Sequence, residues 1–455
     1  MIRDFSRRDF ISLSASVAGA TIASQAILLD PTPAWAMPQA VAPSDRVRFG
    51  IIGIGMQGNG LMANSIQLPG VECAAACDLY DGRHTLAREI ANSTTLPVTR
   101  RYQDLLDNKE IDCLIAAVPD HWHKQIVVDA LSAGKDVYCE KPMSHSPADG
   151  LDMVAAEKKT GRIVQVGSQR VSSALLTKAR ELVHDGLLGD LMMVEGVLGR
   201  NDPNGAWEYP PPPDLTPQTL DWETWQGTVP KVAFNPYIFA RWRCWKEYGT
   251  GVAGDLLVHL MSGALYVLSL NEPPKRAMSM GGILRWKDGR NMPDVHNTIF
   301  EYETTKGTNI SVVMRLNLGT DIPEGYRFMG SKGVLEVNSD QIAFTSQSGR
   351  DEAPSWYAGS FPKALRDAYY AKWHLEHNLP LQRERVAETM VFKGANYNDV
   401  KPHLWNFFQS AKTRQPVTEN AVFGHHAALA CHMANESYFR KSAVYWDEQS
   451  KTISG

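Results

Sequence analysis

The 455-residue chain reads as an α/β protein in two parts. A doubly wound parallel sheet comes first, followed by an α+β domain with a large, open-faced, mainly antiparallel sheet. Three observations predict this. An apolar run, Val47 to Ile52, leads straight into the glycine spacing Gly53-x-Gly55-x-x-Gly58. From there to Gly167, strand-like runs alternate with helical runs of ten or so residues, the grammar of a parallel sheet. Beyond about residue 170, short strand-like runs follow one another with few helices between them, which points to antiparallel pairing.

Taken in order, the strand at Val47–Ile52 and its glycines form the surface a dinucleotide pyrophosphate needs. One glycine makes the tight turn, one lets backbone approach phosphate, and one lets the helix pack on the strand, while the helix N-terminus faces the anion. Gly53, Gly55, Met56, Gln57 and Gly58 are therefore candidate cofactor residues of a Rossmann domain. A second strand, residues 71–77, ends in Asp78, at the spacing where an acidic residue grips the ribose hydroxyls of NAD. NADP stays open, because Arg83 is near enough to meet a 2′-phosphate. A helix around 81–91, the segment 104–108 and a strand at 113–118 follow. That strand ends in Pro119-Asp120-His121-Trp122-His123. A helix over 124–133, a strand at 136–139 ending in Glu140-Lys141-Pro142, a helix over 147–160 and a strand at 163–167 complete the sheet. Functional groups of such sheets gather at the carboxyl ends of the strands. This places Pro119, His121, His123, Glu140 and Lys141 around the cofactor.

In the second part, a helix over 172–185 and a strand over 192–198 precede a long loop, 201–248, rich in proline and tryptophan. A helix over 255–270 comes next, then strand-like runs at 276–286, 296–302, 309–317, 327–338 and 341–346, and a mostly helical tail over 362–439. The domain boundaries expected are 1–36, 37–46, 47–170 and 171–455.

Residues 1–36 read as an export signal. Ser6-Arg7-Arg8-Asp9-Phe10-Ile11 precedes a small-residue stretch that closes with Ala34-Trp35-Ala36. A charged start, a short apolar run and an A-x-A-like site describe a secretory signal, and the paired arginines resemble a twin-arginine one. A periplasmic or otherwise exported protein is expected. An exported NAD enzyme loses any NADH it releases, so the cofactor is expected to stay bound through the cycle. Residues 37–46 form a proline-bearing linker arm. The net charge of −4, without a basic run, argues against nucleic acid as a partner. After residue 36 no apolar stretch approaches the roughly 18 residues of a membrane helix. The six cysteines form no CxxC pair, so no metal is expected.

With Gly53-Ile54-Gly55, Glu140-Lys141-Pro142 and Gly254-Asp255-x-x-x-His259 in that order, the chain resembles the glucose–fructose oxidoreductase / inositol dehydrogenase / rhizopine catabolism (Gfo/Idh/MocA) family. Arg327-Phe328-Met329-Gly330-Ser331-Lys332-Gly333 resembles that family's second-domain strand turn. The resemblance implies NAD(P) between the two domains, a sugar or cyclitol substrate, a cis Lys141–Pro142 bond and a homo-oligomer paired through the open sheet. It also implies catalytic roles: His259 as general base or acid, Lys141 as hydrogen-bond donor or alternate proton carrier, and Asp255 as orienter of sugar hydroxyls. His123 matches the family's histidine after its third strand.

The residues themselves leave alternatives. Asp255 and His259, four apart, share a helix face, yet an N-cap and a core histidine fit the same positions. Arg170 reads as a substrate contact or a structural ion pair. Arg241, Trp242 and Tyr248, with Arg243 interleaved, read as a sugar-binding wall or a packed loop, and Arg241 and Arg243 hint at an acidic sugar. The expected function is hydride transfer at a ring hydroxyl of a sugar, glucoside or cyclitol. The alternative is redox-neutral glycoside cleavage through transient C3 oxidation, with Tyr237 or Tyr248 as the added base.

Overall fold

The computed structural model describes residues 27–29, 45–347, 354–377, 387–394 and 399–455. Most of the expected export signal and of the linker arm lies outside the described residues. The exceptions are residues 45–46 of the arm and Ile27–Leu29, a short edge strand that pairs in parallel with Thr389–Gly394.

The first sheet is parallel and six-stranded, ordered Val98–Thr99, Val71–Cys77, Val47–Ile52, Cys113–Ala116, Asp136–Cys139, Val164–Val166. Its central strands are buried on both faces, as parallel sheets require. The intervening helices stop where the chemistry of their ends dictates. Ser146 accepts from the Asp149 N–H at the start of Pro147–Thr160, and Gly161, at φ +64°, ends it.

Two C-terminal helices complete this core. Leu404, Phe407 and Phe408 of Val400–Thr413 pack beside Phe49 and Tyr138, and Ala421 and Ala428 of Ala421–Arg440 join the opposite layer. Chain from the far end of the sequence thus seals both sides of the nucleotide-binding domain.

The second sheet has eleven strands. It is antiparallel except where Leu191–Gly199 meets Asn309–Asn317 and where Ile27–Leu29 meets Thr389–Gly394. One face alternates into a core with the helices Ala174–His184, Val258–Leu268 and Ala421–Arg440. The other is open, with Met278, Met280 and Ile299 each more than half exposed.

Two details differ from the sequence reading. The run 327–338 is a hairpin of two strands, Ile322–Gly330 and Gly333–Asn338, because the Ser331-Lys332 turn reverses the chain. The tail also contributes Thr389–Gly394, Val444–Asp447 and Thr452–Ser454 to the sheet. No helix among the described residues is long and apolar enough to cross a membrane. All six cysteines are free thiols.

The 201–248 segment folds into compact turns around its own apolar cluster. Leu215, Leu220, Trp222, Trp225, Phe239 and Tyr248 surround Tyr80 of the first domain. Main-chain bonds stitch it there: Asp81 N–H donates to the Thr219 carbonyl, and Asp221 N–H donates to the Leu79 carbonyl.

Candidate functional site

Gly53 has φ +88°, and a side chain there would meet the Ala117 carbonyl at 2.4 Å. A Cβ on Gly58 would lie 1.9 Å from the Gly53 carbonyl oxygen. Both positions therefore exclude any residue but glycine, and both bring the helix Met56–Ser65 hard against the strand before it. That helix begins at Gly55 without a side-chain cap, which leaves first-turn N–H groups available to an anion. Asp78 accepts from the N–H of Ile54 at 2.8 Å and of Tyr80 at 3.0 Å, so it holds the glycine loop. Arg83 lies 3.3 Å from the same carboxylate and over the Phe239 ring at 4.9 Å, packed against Gly55. The close glycine turn, uncapped helix and strand-end carboxylate fit a dinucleotide. The Asp78–Arg83 pair offsets a cation suited to a 2′-phosphate, which favours NAD over NADP.

Around this loop, several residues expected at the cofactor turn out to hold the scaffold. Met56 is exposed, Pro119 caps a short helix, and Gln57 donates to Glu140 at 3.1 Å. Glu140 is buried and also accepts from Gln169 and from the Lys141 N–H, so it has no free edge for a ligand. The His123 ring sits between the Pro142 and Val118 carbonyls at 2.8 and 2.9 Å, joining two strand-end loops. The His121 ring sits between the Tyr248 and Trp225 carbonyls and ties the domain to the insertion. Burial lowers the affinity of both rings for protons, His121 to about 4.

Two of the catalytic candidates, Lys141 and Asp255, are in contact. Lys141 Nζ donates to the Asp255 carbonyl at 2.8 Å and to its Oδ1 at 2.9 Å. The Lys141–Pro142 peptide is cis. Gly254 permits the approach: a Cβ there would stand 1.6 Å from Thr250 Oγ1 and 3.0 Å from Pro142 Cγ. Ala253–Leu257 is a π-helical turn that runs into the α-helix Val258–Leu268 and so carries Asp255 and His259 into the site on one continuous element. Burial would raise the Asp255 carboxyl, but the charges of Lys141 and Arg243 overrule it and hold the group well below the usual carboxylate range. His259 has a buried Nδ1 that hydrogen-bonds to no described residue, while its main-chain carbonyl accepts from Tyr326. Burial, then the charges of Lys141 and Arg170, keep this imidazole neutral far below its ordinary range.

The proposed substrate contacts divide. Arg170 pairs with Asp399 at 2.7 Å and Glu324 at 3.3 Å, the structural alternative. Arg241 is held by Glu208 and by the Tyr209 carbonyl, and Tyr248 is buried in the insertion's cluster. Trp242 lies under the Arg243 guanidinium at 4.2 Å. Arg243 is the site residue of the insertion: its Nε donates to Asp255 Oδ1 at 2.9 Å. Tyr209 faces the same charges, those of Arg243, Asp255 and Arg200. Neither Arg200 nor Tyr209 was singled out from the sequence.

Residues 47–168 match the GFO_IDH_MocA family, described as "Oxidoreductase family, NAD-binding Rossmann fold". The nucleotide-binding domain is therefore similar to that of the Gfo/Idh/MocA family. Inositol 2-dehydrogenase of Salmonella paratyphi B is 32% identical over 154 residues, 33% of this chain and 45% of that protein. The chain thus spans about half the length of the curated relatives it matches most strongly. A glycosyl hydrolase family 109 protein of Shewanella pealeana is 23% identical over 96% of this chain and 94% of its own. Among solved structures, levoglucosan dehydrogenase in complex with NADH and levoglucosan superposes with a TM-score of 0.62 at 16% identity, over 88% of this chain and 99% of that one. Aldose-aldose oxidoreductase of Caulobacter crescentus gives 0.61 at 18%, over 88% and 99%. These likenesses establish the two-domain fold.

Proposed function

We propose that the protein is an exported oxidoreductase that holds NAD tightly and oxidises a ring hydroxyl of a sugar, glucoside or cyclitol. The observation that carries this reading is the Lys141–Asp255 pair, on the helical element that also carries the buried, unbonded His259 Nδ1, with Lys141 next to the Glu140 that Gln57 of the glycine loop reaches. When bound, the nicotinamide supplies the hydride acceptor. A neutral, unpartnered His259 Nδ1 takes the hydroxyl proton, since a base must be unprotonated at the working pH. Lys141, anchored through two of its three N–H donors, keeps one for the substrate oxygen. The bonds to the Asp255 carboxylate land on Oδ1, leaving Oδ2 for a neighbouring hydroxyl.

Retention of the cofactor is supported by the insertion. Phe239 underlies Arg83, and Arg83 covers Gly55, so chain from 201–248 roofs the dinucleotide loop. The twin-arginine pattern supports export, and the open sheet face with its exposed methionines supports a homo-oligomer.

Redox-neutral glycoside cleavage is the second reading, favoured by the full-length likeness to a family 109 glycosyl hydrolase. Tyr209, beside Asp255 and Arg243, is placed for its extra base, whereas Tyr248 is buried and Tyr237 lies under Arg241. The test is to purify residues 37–455 without added cofactor, count dinucleotide per chain, and offer sugars and an aryl glycoside in parallel. Reduction of bound NAD by a sugar supports the first reading. Aglycone release without net NADH supports the second, and an empty protein overturns the captive cofactor.

A further inference from the structure

We propose that the substrate of this site carries a carboxylate, received by Arg200 and Arg243. The inference rests on the reading above, a sugar or cyclitol at Lys141 and His259, and narrows it to acidic members.

The cleft holds guanidinium groups whose donors are not all used. Lys141 and Arg243 share a single carboxylate oxygen, Asp255 Oδ1, at 2.9 Å each. One negative charge thus serves two positive ones. Arg243 presents its guanidinium edge-on to that oxygen through Nε, and its terminal nitrogens bond to no described residue. Trp242 beneath the plane fixes its orientation, so a fork suited to a planar carboxylate stays open.

Arg200 stands at the end of the strand Leu191–Gly199, which runs beside the strand whose Tyr326 hydroxyl reaches His259. Its stem lies along Gly205, where a Cβ would come within 2.7 Å of it. Its guanidinium forms no ion pair with any described residue. Its charge bears on both His259 and Tyr209, the two groups that flank the reaction space.

The other arginines near the site have carboxylate partners. Arg170 has Asp399 and Glu324, and Arg241 and Arg290 have Glu208 and Asp288. Asp120 and Glu140 are buried on neutral donors, the first on Thr250 and the second on Gln57 and Gln169, and neither bonds to an arginine side chain, though the Asp120 charge also acts on Arg243. Asp202, exposed at the rim, turns one oxygen to the Gly205 N–H. A neutral sugar would leave the Arg200 guanidinium and the terminal nitrogens of Arg243 without an ionic partner of their own. A uronate or aldonate would supply one and form charge-assisted bonds at the same time.

The test titrates the full chain, with the cofactor it carries, with matched pairs: D-glucuronate and D-glucose, D-galacturonate and D-galactose, D-gluconate and D-glucitol. Calorimetry or tryptophan quenching reads affinity, and absorbance at 340 nm reads reduction of bound NAD. In at least one pair the acid should bind roughly 10- to 100-fold more tightly, the range of a charged hydrogen bond. That advantage should shrink with added salt, collapse in Arg200→Gln and be partly restored in Arg200→Lys. No acid preference in any pair overturns the inference, as does an Arg200→Gln variant that weakens both twins equally. Reduction by neutral sugars with no acid preference leaves the oxidation reading standing without this one. Tight uronate binding with no reduction does the reverse.

Discussion

Lys141 Nζ grips Asp255 twice, through the main-chain carbonyl and Oδ1, and Arg243 reaches that same Oδ1 from the insertion. One carboxylate therefore locks together the Rossmann strand end, the π-helical turn and the 201–248 segment. Asp255→Asn removes the charge that both cations need and leaves them facing each other. We expect turnover to fall by roughly 100-fold or more, since small displacements of a catalytic group cost that much. Steady-state kinetics with a reactive sugar would check this, while dinucleotide content should remain near that of the parent protein.

The same carboxylate sets a pH rule. Its folded-state proton affinity is depressed, so its contribution to stability is complete above the ordinary aspartate range near 3.9 and fades only as pH falls through the lower folded value. Asp255 should therefore contribute no acidic limb to the pH–activity profile above that range, in the parent protein and equally in Arg243→Lys, which keeps a cation beside the carboxylate.

Stability in mild acid should follow the histidines instead. Eight are less basic than free histidine because burial disfavours the imidazolium, His121, His296, His403 and His425 falling to about 4 and His432 to about 3. Unfolded chain takes up these protons near pH 6.5 and folded chain does not, so stability must drop as pH falls below that value. Carboxyls with raised affinity, Glu140 and Glu419 buried and Glu157 and Glu208 half-buried, act in the opposite sense but are fewer. Calorimetric Tm should decline steadily from pH 6.5 to 4.5; a flat profile would contradict the assignment.

Gly58→Ala should abolish cofactor retention. Its Cβ would overlap the Gly53 carbonyl, so the helix must lift from the strand and the anion-binding turn opens with it. Mass spectrometry of the heated protein should find little dinucleotide, while circular dichroism shows a folded chain.

Phe239→Leu tests the roof over the cofactor. Phe239 is 4% exposed and supports Arg83 from below. A smaller side chain loosens that support, and dissociation of dinucleotide should accelerate by roughly tenfold, about 1.4 kcal/mol. Gel filtration followed by quantification of retained NAD would read this directly. An unchanged rate would place the insertion's role elsewhere.

Much of the first domain was legible because hydrophobic period and glycine spacing are local signals. The strands Val71–Cys77 and Asp136–Cys139 and the helix Pro147–Thr160 stand where the pattern puts them. Other features depend on contacts between distant segments, which no period encodes. Phe407 and Phe408 close the nucleotide-binding core from more than 350 residues beyond Phe49. His121 and His123 stand at the expected strand end, but their rings turn to main-chain carbonyls. In the insertion, arginine and tryptophan were visible as residue types, whereas their partners were not. Arg241 meets Glu208 and Arg243 meets Asp255 because short turns place neighbouring arginines on opposite sides. Arg200 and Tyr209 carry no motif at all. Their sole signal is position, at a strand end and in the loop that follows it.

The most direct test of the central claim is a single-turnover absorbance trace at 340 nm on protein purified without added NAD, mixed with the sugar that binds most tightly. The account predicts a rise equivalent to nearly one NADH per chain, and no rise in His259→Ala despite the same bound dinucleotide. A chain that carries NAD yet shows no rise with any sugar, or a His259→Ala variant that reduces its NAD as fast as the parent, would contradict it.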